Sequence, residues 1–172
     1  MVLDYERPDL SAKDYVLPAT EALLQVEQRG QEVSQHEALP SRRQVVFGLR
    51  PCDAHGAAAI DALFLAQDPP DAYYAHHRER TVLVGLACPR LWEGCFCTSV
   101  GGAPDDATHL DVLLRELDGG YAVETVTEKG AALVAQLETE EREGAPPVSQ
   151  TTEEPLPVLP AEPGGRLNTV IV

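Results

Sequence analysis

Residues 44–64 read QVVFGLRPCDAHGAAAIDALF, and this stretch decides the fold. Its first part, residues 44–50, is a short β-branched and aromatic run that stops at Pro51, which is typical of a buried strand. A helix follows at once, and Asp53 is placed to cap it. The apolar side chains of that helix recur at helical spacing, at Ala57, Ile60, Leu63 and Phe64. We therefore expect a core-facing helix that ends before the prolines at 69 and 70.

The next stretch, residues 71–87, reads DAYYAHHRERTVLVGLA and predicts a second helix over 71–80 and a second strand over 81–87. Strand, helix, helix and strand make a βαβ unit, and near-continuous apolar runs favour parallel strands that are covered on both faces. The predicted fold class is α/β. It is a single domain with a short, mostly parallel sheet flanked by helices, plus a hairpin and an extended Pro-rich tail.

The flanking segments complete this outline. Before the unit, the apolar stripe in residues 19–28 predicts a helix that starts from Ser11, and the polar residues 30–43 predict a loop. After it, residues 110–117 and 121–127 predict a hairpin around a glycine turn.

A helix over residues 128–143 is predicted next, followed by proline-rich residues of low apolar content up to position 165 and a β-prone end at 166–172. The expected organisation is a domain over residues 1–143 and a Pro/Glu-rich tail over 144–172, which ends in that β-prone segment.

Charge narrows the range of partners. The 13 basic and 28 acidic residues give a net charge of −15, which repels phosphates and argues against nucleic acid or an anionic membrane surface. No apolar run approaches the roughly 18 residues that span a bilayer, and the first residues carry no secretory signal pattern. We expect a cytoplasmic protein with reduced thiols.

The four cysteines are the main candidates for chemistry. Cys52 and Cys88 each follow a predicted strand, and Cys95 and Cys97 lie in the glycine-rich loop GLACPRLWEGCFCTSVGG, residues 85–102. If the two strands are neighbours, the thiols meet at one sheet edge. Four thiolates suit either a tetrahedral zinc or a [4Fe–4S] cluster, but cysteines separated by one residue converge poorly on one ion. Spacing alone leaves zinc, a cluster and no metal open.

For the other candidate residues, both a structural and a functional role can be proposed. His55 and His109 could be metal ligands, although lone histidines are more often surface or core residues. Trp92 and Phe96 would shield a bound group from water or simply pack in the core. No phosphate-binding, zinc-protease or nucleophile-elbow motif occurs in the sequence, and no nucleophile–base pair can be named, so no catalytic residue is assigned.

Four stretches occur in the order of one known family. They are FGLRPCDAHGAAAIDALF at 47–64, DAYYAHHRERTVLVGLAC at 71–88, CFCTSVGG at 95–102 and DVLLRELDGGYAVETVTEKG at 111–130. Over about residues 11–137 the chain resembles the beta subunit of soluble NiFe sulfhydrogenases and a related iron–sulfur subunit of anaerobic sulfite reductase.

The resemblance implies one [4Fe–4S] cluster on Cys52, Cys88, Cys95 and Cys97. Around it we expect Arg50, Trp92, Phe96, Thr98 and Gly101. The implied function is electron transfer inside an oxidoreductase complex, beside flavin/NAD(P)H and catalytic metal subunits, rather than catalysis by this chain alone.

The chain departs from the family pattern in one respect. Family members typically continue into a ferredoxin-like domain with further cluster motifs, whereas this sequence has only four cysteines. We therefore expect a partner to carry the next redox centres, unless the sequence is a truncated form. The rival hypotheses are a structural or regulatory module with zinc or no metal, and a flavin-binding oxidoreductase subunit.

Overall fold

The computed structural model describes residues 11–117 and 120–137. A short 3₁₀ turn, Ala12–Tyr15, precedes the regular elements. In chain order these are β1 Leu24–Arg29, β2 Glu32–Glu37, β3 Gln44–Leu49, α1 Pro51–Phe64, α2 Ala72–Arg80, β4 Thr81–Leu86, β5 Val112–Leu117, β6 Gly120–Thr125 and α3 Glu128–Val134.

The main sheet has four strands in the order β3-β4-β5-β6. β3 pairs parallel to β4, β4 pairs parallel to β5, and β6 returns antiparallel beside β5. The mixed α/β fold, the mostly parallel sheet and the hairpin at its end are therefore confirmed. Since β3 and β4 are adjacent and parallel, their carboxyl ends lie at the same edge of the sheet.

The core is small and is built around the βαβ unit. Its buried members are Val46, Leu49, Ala54, Ala57, Leu83, Leu110 and Leu113. α1 contributes alanines, whose small side chains let the helix lie close to the sheet. The expectation of a core-facing Leu63 is wrong, because that side chain is 68% exposed. Phe64 instead stacks on Tyr74 of α2 at a centroid distance of 5.0 Å.

The N-terminal segment corrects the prediction of a helix over residues 19–28 and a loop over 30–43. The chain there forms a two-stranded antiparallel hairpin, in which Arg29 pairs with Glu32 across the turn. Gly30 has a φ of 66°, the left-handed conformation that a tight turn needs. Leu24 and Val26 are two residues apart, so one face of a strand holds both, and the apolar stripe fits period two as well as a helix.

Asp111 connects the sheet to α3. Its buried carboxylate accepts hydrogen bonds from the Leu83 backbone N–H at 2.8 Å and from the Thr127 hydroxyl at 2.5 Å. Its carbonyl oxygen accepts the Val126 N–H at 2.9 Å. The first turn of α3 is thereby held against the start of β5.

The predicted helix over 128–143 is present as α3 up to Val134. Residues 138–143 lie outside the described part of the chain, as do the predicted tail over 144–172 and the boundary between it and the domain. In the two described ranges, no helix is long and apolar enough to cross a bilayer.

Candidate metal centre

A cavity of about 600 Å³ lies beside the carboxyl ends of β3 and β4, and all four cysteines line it. Arg50, Trp92 and Phe96 line it as well. Residues that are far apart in sequence thus line one cavity, because the loops that follow neighbouring parallel strands lie at the same sheet edge.

Cys52 reaches the cavity through the junction of β3 and α1. The register of β3 shifts between Phe47 and Leu49, around Gly48 with its positive φ of 89°. α1 then begins at Pro51, and the Arg50 backbone N–H donates to the Asp53 carboxylate at 3.0 Å. The cap role expected for Asp53 is therefore present.

The position of Cys52 on α1 has two opposing effects on its thiol. Burial raises the pKa of Cys52, and the neighbouring Asp53 carboxylate adds to the increase. Cys52 also lies in the first turn of a 14-residue helix, whose partial positive charge favours a thiolate there. A positively charged group bound in the cavity would therefore act together with the helix to hold the thiolate form.

Cys88 lies two residues after the end of β4 at Leu86. Its backbone N–H donates to the Pro104 carbonyl at 2.9 Å, which ties the start of the loop to its end. The loop between these two residues carries the remaining two cysteines. The hydrogen bond between Cys88 and Pro104 therefore brings the two ends of this loop together beside the sheet edge.

Backbone N–H groups reach the sulfurs of this loop. The Trp92 N–H donates to the Cys95 sulfur at 3.3 Å. Cys97 begins a 3₁₀ turn, Cys97–Val100, which Gly101 ends with a φ of 84°. Donors of this kind are found around sulfur ligands of metals and clusters, where they stabilise negative charge on sulfur.

Burial is the largest influence on the pKa values of the Cys88 and Cys97 thiols. Burial raises the pKa of Cys88 to about 12, while the Arg50 guanidinium acts to lower it and the thiols of Cys52, Cys95 and Cys97 add to the increase. Burial also raises the pKa of Cys97, and a hydrogen bond from the Thr98 backbone opposes this effect. The nearby thiols therefore add to the pKa increase of both Cys88 and Cys97. A cation or a positively charged group in the cavity would lower these pKa values and favour the thiolates.

The four thiols line the cavity without converging on one point in the described residues. As the side chains stand, no three His, Cys, Asp or Glu residues within 11–117 and 120–137 are close enough together to hold a single metal ion. The cavity of about 600 Å³ is much larger than the space that one ion or one water molecule needs. Four thiols around such a space fit a polynuclear cluster, whose corners accept separate ligands.

The other predicted residues are divided between the cavity wall and the positions around it. Thr98 and Gly101 lie on the 3₁₀ turn and its cap, not on the wall. His55 lines the cavity, and its ring packs edge-to-face on His109 at 5.2 Å. This ring pair gives the two histidines a packing role.

Sequence reasoning missed two features of the wall. The first is the burial of Arg50, which is only 4% exposed and whose guanidinium donates to the Ala87 carbonyl at 3.2 Å. The second is the contribution of Leu91 and Asp106 to the lining. The only sign of this burial in the sequence is that Arg50 directly follows a strand. Arginine side chains are rarely buried, so the residue type itself predicts exposure.

Comparison with known proteins agrees with the family suggested by the motifs. Over 133 residues, 77% of its length, the chain is 33% identical to Sulfhydrogenase 2 subunit beta of Pyrococcus furiosus, and it spans 37% of the length of that relative. No family model matches the sequence, and no solved structure matches the chain. The chain therefore belongs to the hydrogenase beta subunit family and corresponds to its N-terminal part.

Proposed function

We propose that the chain is an iron–sulfur electron-transfer domain of a hydrogenase-type oxidoreductase, with one [4Fe–4S] cluster held by Cys52, Cys88, Cys95 and Cys97. The observation that carries this proposal is that all four thiols line one cavity beside the carboxyl ends of two parallel strands. The relationship to a sulfhydrogenase beta subunit supports it independently. A cluster bound there would supply one-electron redox chemistry.

The surrounding residues have defined tasks in this proposal. Arg50 brings a positive charge to a site of four thiolates, which lowers the cost of their charge in a buried setting. The backbone N–H of Trp92 holds Cys95 in place through the contact at 3.3 Å. Trp92 and Phe96 limit access of water to the cavity, which is one means by which a protein sets a reduction potential.

The test is metal and sulfide analysis of protein purified without oxygen. We expect about four irons and four sulfides per chain, with broad absorbance near about 400 nm. Zinc in place of iron would support a structural module instead. Yellow flavin released on heating, without iron, would support the flavin-binding hypothesis.

A partner subunit is part of the proposal, because a cluster carries electrons only between other carriers. Phe96 is 61% exposed and Val100 is 52% exposed, and both line the cavity. We propose that these residues belong to a docking face for a redox subunit that carries flavin or a further cluster. Apolar side chains at the centre of such a face exclude water from the contact.

We predict that Phe96→Ser weakens binding of the redox subunits that copurify with the chain about tenfold, since aromatic side chains often dominate interfaces. The measurement is the dissociation constant between the purified partners, together with the iron content of the variant. Leu63→Ser is the matched control, because Leu63 is also exposed, at 68%, but lies on α1. Equal weakening by both variants would show that the effect is not specific to the docking face.

The net charge of −15 predicts a partner face that is relatively basic. Association should then slow as salt rises, because screening removes the attraction between oppositely charged surfaces. Association rates measured at low and high salt check this. A rate that is independent of salt would contradict electrostatic steering.

A further inference from the structure

A second cavity, which the proposed cluster site does not use, lies at the opposite end of the strands. It has a volume of about 450 Å³ and is lined by the starts of β3 and β4 and by residues of α3. Each of these strands has six residues, so roughly 20 Å along the sheet separates it from the cysteine cavity. We call it the basic groove, after the lining residues Arg43, Val45, Arg80, Lys129 and Leu133.

The basic groove has apolar side chains in its lining. Val45 and Val82 are register partners at the starts of two neighbouring strands, and both line the groove together with Leu133 of α3. α3 packs against β4, yet Val45 remains 48% exposed. An apolar side chain of another molecule that covered Val45 would remove apolar surface from water, which is favourable.

The charge of the basic groove is opposite to that of the chain. Three of its lining residues are cations, Arg43, Arg80 and Lys129, whereas Glu79 is the one carboxylate among the described residues that line it. The whole chain carries a net charge of −15. The Debye length is about 8 Å at physiological salt, so a group inside the groove responds mainly to these nearby cations.

The three cations differ in how far the fold already engages them. Lys129 donates to two backbone carbonyls and lies 3.7 Å from the buried Asp111 carboxylate, which compensates much of its charge. Arg80 pairs with Glu79 at 3.0 Å, but that carboxylate is 73% exposed, and exposed pairs contribute little stability. Arg43 is exposed and forms no ion pair within the described ranges. Arg43 and Arg80 are therefore the cations that an incoming carboxylate can bind.

We infer that the basic groove binds an acidic segment of a partner protein. Carboxylates of that segment bind Arg43 and Arg80, and one of its apolar side chains covers Val45 and Leu133. Charge complementarity selects this occupant, because a basic segment would meet the two arginines and a small inorganic anion would leave the apolar lining exposed to water. Two copies of this chain, each with a charge of −15, repel one another at long range.

The inference takes from the proposed function only the presence of a partner subunit. None of the described residues that line the basic groove is a cysteine, and the groove lies at the other end of the strands from the proposed cluster. Binding at the groove is therefore expected to be independent of the iron content of the chain.

The first experiment compares Arg43→Glu with Arg42→Glu. Arg42 is exposed in the same segment but is not part of the groove lining, so both variants change the net charge equally and only Arg43→Glu reverses a charge in the groove. We expect Arg43→Glu to weaken binding of the copurified redox subunits about tenfold, and Arg42→Glu to weaken it less than about twofold. Iron content and the urea midpoint are measured alongside and should match the parent in both variants.

Equal dissociation constants for the two variants would overturn the inference and leave the proposed cluster standing. Loss of iron from Cys88→Ala without weaker binding at the groove would support the independence of the two sites. A parent chain that binds no redox subunit would overturn the inference together with the proposed partnership. A dimer of the chain that Arg43→Glu dissociates, detected by light scattering, would assign the groove to a second copy and overturn the inference.

The second experiment needs no variant and locates the site directly. The probes are the peptide acetyl-EELEE-amide and the matched peptide acetyl-KKLKK-amide, added to isotopically labelled parent protein. We expect the acidic peptide to shift the nuclear magnetic resonance signals of Val45 and Leu133, and the basic peptide to leave these two signals unchanged. Equal shifts of Val45 and Leu133 with both peptides, or no shift with the acidic peptide, would overturn the inference even where Arg43→Glu fails to fold.

Discussion

Replacing Cys88 with alanine should lower the bound iron and sulfide of the chain to about a tenth of the parent value, since each thiolate of a four-cysteine site holds one corner of the cluster. Cys88 lines the cavity, and burial raises the pKa of its thiol to about 12. Iron and sulfide analysis of protein purified without oxygen measures the loss.

The same loss is expected for Cys52→Ala, because the proposal assigns both residues equivalent roles at the ends of neighbouring strands. Ser99→Ala is the control, as Ser99 is an exposed residue of the same loop. Full iron content in Cys52→Ala would remove that residue from the ligand set. It would also undermine the argument that the two strand ends build the site together.

The second large effect concerns the packing of α3 on the sheet. A Cβ atom added at Gly130 would lie 2.0 Å from the Asp111 carbonyl oxygen, which is backbone and cannot rotate away. We predict that Gly130→Ala lowers the free energy of unfolding by about 3 kcal/mol, because the first turn of α3 must move off the start of β5. Urea unfolding of the parent and variant measures the change.

Gly56→Ala is the matched control for that substitution. Gly56 is exposed in the interior of α1, and a Cβ added there meets nothing within 4 Å. The same chemical change should therefore raise the free energy of unfolding by about 0.5–1 kcal/mol, since alanine favours the helix over glycine. Destabilisation of similar size in both variants would contradict the role of the Asp111 contact.

Part of the candidate site could be predicted because it depends on local patterns. The near-continuous apolar runs at residues 44–50 and 81–87, with the helix after the first, favoured parallel strands, and the pairing of β3 with β4 confirms that. Cys52 and Cys88 were expected at one sheet edge if the two strands were neighbours, and the structure shows that they are. The motif resemblance then pointed to the family that the comparison with a sulfhydrogenase beta subunit supports.

The N-terminal hairpin shows where local patterns fail. Leu23 and Val26 have the spacing of a helical stripe, whereas Leu24 and Val26 have that of a strand face. The turn at Gly30 and the pairing of β1 with β2 decide for the strand. Strand pairing is a contact between separate segments, so the periodicity of one segment does not contain it.

By itself the sequence determined the order of the βαβ unit, the positions of the four cysteines after strands and in a glycine-rich loop, and the acidity of the chain. Only the tertiary structure decided that Arg50 is buried, that its guanidinium lies over the Trp92 ring and that the indole N–H faces no acceptor in the described residues. The physical reason is that burial and hydrogen bonding depend on which distant segments enclose a side chain. Those neighbours exist only once the loop after β4 has folded back against the start of α1.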